Sequence, residues 1–405
     1  MNVYISGISG TGMGPLALMA KQAGINVFGS DLFKGAIYDE LIKAGIEVKI
    51  GPQNGDFLES KLKEGIDWFV YTSALPKDHA ELRLARESEI KYTKRDDFTV
   101  FLVEKLGLKM VAIAGTHGKT TTTAMIIWVA LKLGLPVSYI VGTTLGFAVS
   151  GAYKPGDQYF VYEADEYDRN FLKYHPWLAV ITSVSYDHPD IYPTKGDYMA
   201  AFKQFESQSG EVIKDIKIDE EFGLAGEVRR YDATLALMAI TKMAPDISRE
   251  EIIKVLNEFP GVGRRFEKIA EGVYTDYAHH PEEIAATMDI VKDEKRLHGY
   301  KGIVVVYQPH QNVRQYKVRD GYRDAFVGAD KIYWLPTYLT REDPSLPVLT
   351  PNELIRGLSN KDRAEAAELN DELVNNLRKY VDDGDLVILM TAGPADEWLR
   401  EKFSK

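Results

Sequence analysis

The chain has 405 residues, of which 45% are hydrophobic and 27% charged, a globular composition too long for one ordinary core. Its formal net charge of −11 argues against general nucleic-acid binding, and the lack of cysteine excludes disulfides and thiolate metal sites. No apolar run approaches the roughly 18 residues of a membrane span, and no signal peptide leads the chain. We therefore expect a cytosolic protein of about two to four domains, with neither nucleic acid nor membrane as a partner.

Residues 1–107 begin with the pattern of a Rossmann-like nucleotide-binding unit. A strand over 3–5 leads into a glycine-rich turn at 7–14, an apolar helix over 15–23 and a second strand that ends at Asp31. This layout brings backbone amides and a helix N-terminus against a phosphate. The pattern favours a ligand-binding turn over a plain tight turn, but it does not distinguish a dinucleotide from a UDP-sugar.

Residues 108–262 contain the most informative motif, a phosphate-binding loop with the sequence Gly-Thr-His-Gly-Lys-Thr at 115–120. It follows a short apolar strand and opens a helix. Amides at the helix start and the helix dipole favour phosphate, Lys119 can reach the terminal phosphates, and the Thr120 hydroxyl can bind Mg²⁺. Two residues separate the glycines, where the usual pattern has four.

Two strands that follow the phosphate loop end in residues suited to metal binding. The strand over 158–162 precedes an acidic run that begins at Glu163, and the strand over 178–182 leads to Asp187-His188. Residues just past the strand ends line the ligand crevice of an open α/β sheet. Thr120, Glu163 and His188 are therefore predicted to meet around a divalent ion held against a triphosphate, in preference to a solvated acidic loop and a structural histidine.

Residues 263–405 alternate apolar strands with helical stretches, which predicts a mostly parallel sheet with helices on its faces. The overall prediction is thus an α/β protein. Pro281 suits the first turn of a helix, so His279 and His280 would lie just before that helix, at the end of a strand. We interpret this pair as part of a substrate- or nucleotide-facing loop, in preference to a structural loop or a metal site.

Taken in order, these motifs strongly resemble those of the Mur ligase family over almost the whole chain. They are GTHGKTTT at 115–122, EADE at 163–166, DH at 187–188, RRF at 264–266, DYAHHP at 276–281 and QPH at 308–310. Members of this family are ATP-dependent amide-forming enzymes of peptidoglycan synthesis. The resemblance implies a Rossmann-like UDP-sugar domain at 1–107, a central P-loop ATPase domain with a mostly parallel sheet at 108–262, and a Rossmann-like amino-acid-binding domain at 263–405.

The resemblance also implies a reaction. ATP would activate the lactyl carboxylate of UDP-N-acetylmuramate as an acyl phosphate, and the amine of an amino acid would then displace phosphate. Likeness to one subgroup of the family implies that the amino acid is L-alanine. A monomer or homodimer is expected.

Site residues are implied in the same way, by matching the motifs position by position. The implied UDP-sugar contacts are Gly10, Thr11, Gly12, Met13, Asp31 and Ser73. The implied ATP contacts are Gly115, Thr116, His117, Gly118, Lys119, Thr120, Thr121 and Asp276, and the implied Mg²⁺ ligands are Thr120, Glu163 and His188. The implied catalytic residues are Lys119, His188 and Arg265. The amino acid would meet Tyr277, His310 and Arg314, with the arginine pairing its carboxylate.

The chain also departs from the family pattern. The adenine-binding motif is replaced by a different sequence at 226–234, and Gln311 stands where an arginine usually follows QPH. Lys203, at the position of a carbamylated lysine in other members, is interpreted as a solvated helix residue. Two alternatives stay open: a recycling ligase that adds a murein tripeptide to the same sugar nucleotide, and a nucleotide-binding or ATP-hydrolysing protein that no longer ligates.

Overall fold

The structure is a computed structural model that describes residues 1–73, 75–186, 188, 191–340 and 342–403. Ala74 of the predicted nucleotide-binding segment and Asp187 of the DH motif lie outside the described residues. The chain forms two compact units, one of residues 1–222 and 231–259 and the other of residues 223–230 and 260–405. None of the helices in the described part of the chain is long and apolar enough to cross a membrane.

The first unit begins with a five-stranded parallel sheet in the order β3-β2-β1-β4-β5. Its elements are β1 (Asn2–Ser6), α1 (Met13–Gln22), β2 (Asn26–Asp31), α2 (Tyr38–Lys43), β3 (Glu47–Ile50), α3 (Asp56–Lys63), β4 (Trp68–Tyr71), α4 (Ala80–Glu87), β5 (Lys91–Lys94) and α5 (Arg95–Leu106). Successive side chains of β1 enter different cores: Val3 and Ile5 join the larger one, and Tyr4 joins a smaller one with Phe69. Burial on both faces is what a parallel sheet covered by helices requires.

A second sheet of the same unit has the order β11-β10-β6-β9-β7-β8 and is parallel except for the β7–β8 pair. Its elements are β6 (Lys109–Ala114), α6 (Lys119–Lys132), β7 (Val137–Ile140), β8 (Gly151–Ala152), β9 (Tyr159–Glu163), β10 (Leu178–Ile181), α7 (Lys195–Ser207), β11 (Glu211–Ile213), α8 (Glu227–Met243) and α9 (Arg249–Asn257), with a 3₁₀ segment at Tyr167–Lys173. Strands β9, β6 and β10 are adjacent, so the loops after their carboxyl ends emerge side by side.

The first two sheets share one hydrophobic core, which explains why they form a single compact unit. The end of β5 and the start of α5 link them: Lys94 and Asp97 pair with Asp168 and Lys173 of the 3₁₀ segment at 2.5 and 2.7 Å. Gly107 ends α5 in the left-handed region with φ +65°, just before β6. The predicted boundary after residue 107 therefore coincides with a helix end, and the division into three domains stays a prediction.

The second unit contains a six-stranded sheet in the order β12-β13-β17-β14-β15-β16, parallel except for the β12–β13 pair. Its elements are β12 (Glu267–Ala270), β13 (Val273–Asp276), α10 (Pro281–His298), β14 (Ile303–Gln308), α11 (Asn312–Val318), β15 (Lys331–Trp334), α12 (Pro351–Ile355), β16 (Ala364–Ala366), α13 (Asp371–Asp382), β17 (Leu386–Thr391) and α14 (Ala395–Phe403), with 3₁₀ turns at Arg319–Tyr322 and Lys361–Arg363. The predicted α/β class with mostly parallel sheets is confirmed. Helix α10 begins at Pro281 and continues to His298, where Gly299 in the left-handed region stops it.

Candidate active site

The phosphate loop connects β6 to α6, as predicted, and its geometry depends on both glycines. Gly115 has φ +141° and Gly118 has φ +86°. A β-carbon at Gly115 would collide with the Thr182 hydroxyl, and one at Gly118 would lie 2.7 Å from a carboxylate oxygen of Asp232. The Thr116 amide donates to the Ser183 carbonyl at 2.8 Å. Residues after β10 therefore pack against the loop and hydrogen-bond to it, and only glycine fits at positions 115 and 118.

Lys119 is the first residue of α6, and its side chain folds back over the loop. Its ammonium donates to the Gly115 carbonyl at 2.5 Å and to Oε2 of Glu166 at 2.8 Å. Glu166 is only 1% exposed, whereas Lys119 retains 14% of its side-chain exposure. The lysine is thus reachable from solvent at a loop whose backbone suits phosphate.

Thr120 and Glu163 form the pair that would hold a metal ion. The Thr120 hydroxyl donates to Oε1 of Glu163 at 2.8 Å. Oε2 of Glu163 is buried and faces the backbone of Gly142 without a hydrogen bond of ordinary geometry. Burial raises the pKa of Glu163, while the Thr120 hydroxyl and the Lys119 charge lower it by less. A buried carboxylate oxygen lacking a partner beside a hydroxyl fits the oxygen-only preference of Mg²⁺.

His188 lies beside a different acid from the one predicted. Its Nε2 is 3.7 Å from Oε1 of Glu166, and its ring packs edge-on against Tyr167 at 5.2 Å between centroids. Its backbone has φ +54°, which is uncommon for a residue other than glycine. Thr120 therefore contacts Glu163, whereas His188 is next to Glu166, for which sequence analysis assigned no role. Among the described residues no group of three or more His, Cys, Asp or Glu side chains is arranged to hold a metal.

The glycine-rich turn of the first sheet presents several of its predicted contacts to solvent. Gly10, Thr11 and Ser73 are exposed, whereas Met13 is 3% exposed and packs in the core, so only its backbone is available to a ligand. Asp31 accepts a hydrogen bond from the Ser9 amide at 2.8 Å and so ties β2 to the turn.

Sequence analysis missed a cation at this turn, Arg95 at the start of α5. A β-carbon at Gly12 would collide with Nη1 of its guanidinium, so the arginine side chain lies directly against this glycine. Asp96 accepts from the other two nitrogens, Nε and Nη2, at 3.3 and 3.1 Å. The neighbouring Tyr162 hydroxyl and Asp96 carboxylate raise the pKa of Arg95, more than burial lowers it. The sequence signal available for it was the Lys94-Arg95 pair, which ends β5 and begins α5.

In the second unit the RRF motif is hydrogen-bonded to Asp276. The Phe266 amide donates to Asp276 at 2.7 Å, and the Ala278 amide donates to it at 2.8 Å. Burial raises the pKa of Asp276, and these backbone donors lower it by less. Arg264 donates to the Thr391 carbonyl at 2.6 Å, whereas Arg265 is exposed. Of the two arginines, Arg264 is thus structural and Arg265 is available to a ligand.

The predicted amino-acid contacts of this unit gather around two histidine loops. Rings of His279 and His310 lie 5.7 Å apart, and those of Tyr277 and His279 lie 5.4 Å apart. Nδ1 of His279 is 3.1 Å from a carboxylate oxygen of Glu283, which also accepts from the His279 and His280 amides. His280 caps α10 immediately before Pro281, as predicted.

A series of buried hydrogen bonds links these two histidine loops. The Tyr307 hydroxyl donates to the His279 carbonyl at 3.0 Å and lies 2.8 Å from the Tyr322 hydroxyl. Tyr322 donates to Oε1 of Gln315 at 2.8 Å, and the Gln315 amide donates to the His310 carbonyl at 3.0 Å. Arg314 lies on the adjacent helix α11, close enough for its charge to lower the pKa of Tyr307, which burial raises.

The residues that replace the family's adenine motif have a structural role in this unit. The Gly226 amide and the Arg230 guanidinium both donate to Asp293 of α10, at 2.9 and 3.0 Å. Lys203, in the first unit, is exposed on α7, in agreement with its interpretation as a solvated residue.

Three family models match consecutive parts of the chain. They are described as the Mur ligase family catalytic domain at residues 2–104, the Mur ligase middle domain at 113–254 and the Mur ligase glutamate ligase domain at 264–393. Their order agrees with the order of the motifs.

Curated relatives extend over nearly the whole chain. The UDP-N-acetylmuramate–L-alanine ligase of Syntrophomonas wolfei is 32% identical, covering 98% of this chain and 95% of the relative. The protein of the same name from Caldanaerobacter subterraneus is 30% identical, covering 99% of this chain and 96% of the relative. Both alignments span 464 positions, more than this chain has residues, so these relatives carry segments without a counterpart here.

Solved structures share the fold. The UDP-N-acetylmuramate–alanine ligase of Thermotoga maritima matches with a TM-score of 0.77 and 22% identity over 99% of this chain and 98% of that one. A murein peptide ligase from Psychrobacter arcticus matches with a TM-score of 0.58 and 22% identity over the same shares.

Proposed function

The chain belongs to the Mur ligase family, and from this premise we propose that it joins L-alanine to UDP-N-acetylmuramate with hydrolysis of ATP to ADP and phosphate. The observation that carries the proposal is the phosphate loop itself: Lys119 lies over its backbone, and the next residue, Thr120, donates to Glu163. Curated relatives of at least 30% identity with that activity support the choice of substrates. Since ATP and UDP-sugars are cytosolic metabolites, we place the protein in the cytosol.

The first unit would carry out the activation step. A carboxylate oxygen of the sugar attacks the γ-phosphorus, the bond to ADP breaks, and an acyl phosphate forms. Most of the catalysis in such a transfer is positioning and charge neutralisation. Amides of the phosphate loop and Lys119 would bind the phosphates, and Thr120 and Glu163 would hold Mg²⁺, with His188 orienting the metal site. When bound, Mg²⁺ neutralises charge on the phosphates.

The sugar nucleotide would bind at the glycine-rich turn of the first sheet. Gly10, Thr11 and Gly12 offer backbone to its pyrophosphate, and Arg95 adds a positive charge next to Gly12. Asp31 shapes the turn through Ser9, and Ser73 is exposed at the end of the neighbouring strand β4. This arrangement places one cation beside backbone that suits a pyrophosphate.

The second unit would supply the amine and the remaining nucleotide contacts. Arg314 would pair with the amino-acid carboxylate, with Tyr277 and His310 beside it. The amine nitrogen attacks the acyl carbon, phosphate leaves with the carbon–oxygen electron pair, and the nitrogen loses its proton. Asp276 would orient the loop that carries Arg265, whose exposed guanidinium would bind phosphate. We also propose domains at 1–107, 108–262 and 263–405.

Product analysis tests this function directly. The purified protein is incubated with ATP, Mg²⁺ and UDP-N-acetylmuramate, together with single amino acids or with murein tripeptide, and the products are weighed by mass spectrometry. We expect an amide product with L-alanine and stoichiometric phosphate release. Ligation of the tripeptide alone would assign the recycling reaction, and phosphate release independent of any amine would assign a non-ligating ATPase.

A further inference from the structure

Glu166 has no part in the function proposed above, yet it lies at the centre of the phosphate-loop contacts. An ionised carboxylate with 1% exposure is unusual without a charged partner. Its Oε2 is 2.8 Å from the ammonium of Lys119, and its Oε1 is 3.7 Å from Nε2 of His188. One buried acid therefore lies next to two side chains with proposed roles in catalysis.

The ammonium of Lys119 is fully engaged by the protein. It donates to the Gly115 carbonyl at 2.5 Å, to the Thr116 carbonyl at 3.4 Å and to Glu166 at 2.8 Å. An ammonium has three protons, so contact with a phosphate requires it to leave one of these acceptors. Only Glu166 among them carries a charge. When a phosphate replaces Glu166 as the partner of Lys119, the ammonium exchanges one anion for another. The carboxylate of Glu166 stays nearby and repels the incoming phosphate.

Glu166 itself is held from several sides and is not free to follow the lysine. The Tyr192 hydroxyl donates to its backbone carbonyl at 2.6 Å. The Tyr198 hydroxyl lies 3.5 Å from Oε1 and 2.8 Å from the Thr116 hydroxyl. The following turn contains two consecutive left-handed residues, Asp168 and Arg169, with φ of +53° and +57°. Such strained backbone persists only where its surroundings hold it.

We propose that Glu166 is a positioning residue, a fixed counter-ion that competes with the triphosphate for Lys119 and keeps His188 in place once the lysine has turned to the phosphates. This inference rests on the proposed function, since it assigns Lys119 to ATP. Competition lowers the affinity for nucleotide and favours ligands with enough negative charge to displace the carboxylate. In return, Glu166 orients the side chains of Lys119 and His188 before ATP binds.

The test compares Glu166→Gln with Asp165→Asn in the full-length protein. Asp165 is one residue away, so its substitution removes the same charge from the same run without touching Lys119. Two quantities are measured: the Kd of ADP without Mg²⁺, by calorimetry, and kcat with KM for ATP in the ligation assay. We expect E166Q to bind ADP roughly three- to tenfold more tightly, because one partly screened like charge is removed. We also expect kcat to fall about tenfold or more, and D165N to change neither value beyond about twofold.

Opposite results would overturn the proposal. Unchanged or weaker ADP binding by E166Q would show that the carboxylate does not compete for Lys119. Unchanged ADP affinity with a raised Mg²⁺ requirement would make Glu166 a metal ligand instead.

A second variant covers the case in which E166Q does not fold. Glu166→Asp keeps the charge but draws it back from Lys119, so ADP affinity should equal or slightly exceed that of the parent while kcat falls; weaker ADP binding by this variant would refute the competition. The ADP measurement needs no ligation, so it separates this inference from the proposed function. If the unaltered protein binds ADP but forms no amide, only the proposed function fails.

Discussion

Substitution of Tyr322 by phenylalanine tests whether the buried hydrogen-bond chain holds the two histidine loops in place. The Tyr322 hydroxyl bridges Tyr307 and Gln315 with distances of 2.8 Å on both sides, and all three residues are fully buried. Its removal leaves Oε1 of Gln315 without a donor, and an orphaned buried acceptor costs about 1–3 kcal/mol. For a unit of this size each kcal/mol lowers Tm by roughly 2–4 °C, so we expect a fall of about 4–8 °C at the middle of that range.

The functional consequence should be selective. Because the chain ends on the carbonyls of His279 and His310, its loss should raise KM for the amino acid several-fold and leave KM for ATP within about twofold. Calorimetric melting and steady-state kinetics measure the two effects. Tyr316→Phe is the matched control, since its hydroxyl donates to the Pro347 carbonyl at an exposed position and its loss should cost less than about 0.5 kcal/mol. Equal melting temperatures for both variants would refute the reasoning.

Three further predictions follow from the proposed site. Lys119→Ala should reduce turnover by about a thousandfold or more while UDP-sugar affinity, measured by calorimetry, changes less than about twofold; loss of both would contradict separate sites. Arg95→Ala should weaken UDP-sugar binding about tenfold, with Arg95→Lys intermediate, whereas equal affinity in all three proteins would remove Arg95 from that site. Although burial opposes ionisation, His279 and the amides of His279 and His280 lower the pKa of Glu283 to about 2. Its stabilisation should therefore be present above the unfolded pKa near 4.5 and be lost as pH falls toward 2. The Glu283 side chain is 34% exposed, so solvent screening limits this stabilisation to about 1 kcal/mol. The measurement is the difference in Tm between the parent and Glu283→Gln, compared at pH 6 and pH 3. A difference that grows on acidification would contradict this assignment.

Motifs with strict local geometry were predictable from the sequence alone. Glycines at 115 and 118 mark the phosphate loop because their backbone conformations and close contacts exclude a side chain. Thr120 and Glu163 were placed together correctly, since they follow adjacent parallel strands whose carboxyl ends meet at one sheet edge. Pro281 was recognised as a helix start from the preference of proline for the first turn, which placed His280 just before it.

Residues whose roles depend on packing between elements were not predictable. Arg95 approaches Gly12 because α5 docks beside α1 in a shared core, and no local pattern reports that docking. The two arginines of RRF look equivalent in sequence, but the end of β17 binds Arg264 and leaves Arg265 exposed.

By itself, then, the sequence determined the α/β class and the phosphate loop, because these follow from strand–helix periodicity and from backbone that only glycine can adopt. It indicated the family through the resemblance of its ordered motifs. Tertiary structure alone decided that Lys119 and His188 meet Glu166, a residue for which the sequence predicted no role. Glu163 and Glu166 are three residues apart in one acidic run, yet one contacts Thr120 and the other contacts Lys119 and lies beside His188. That division is set by the turn of the chain after β9 and by the tyrosines packed around it, which are distant in sequence and meet only in the folded protein.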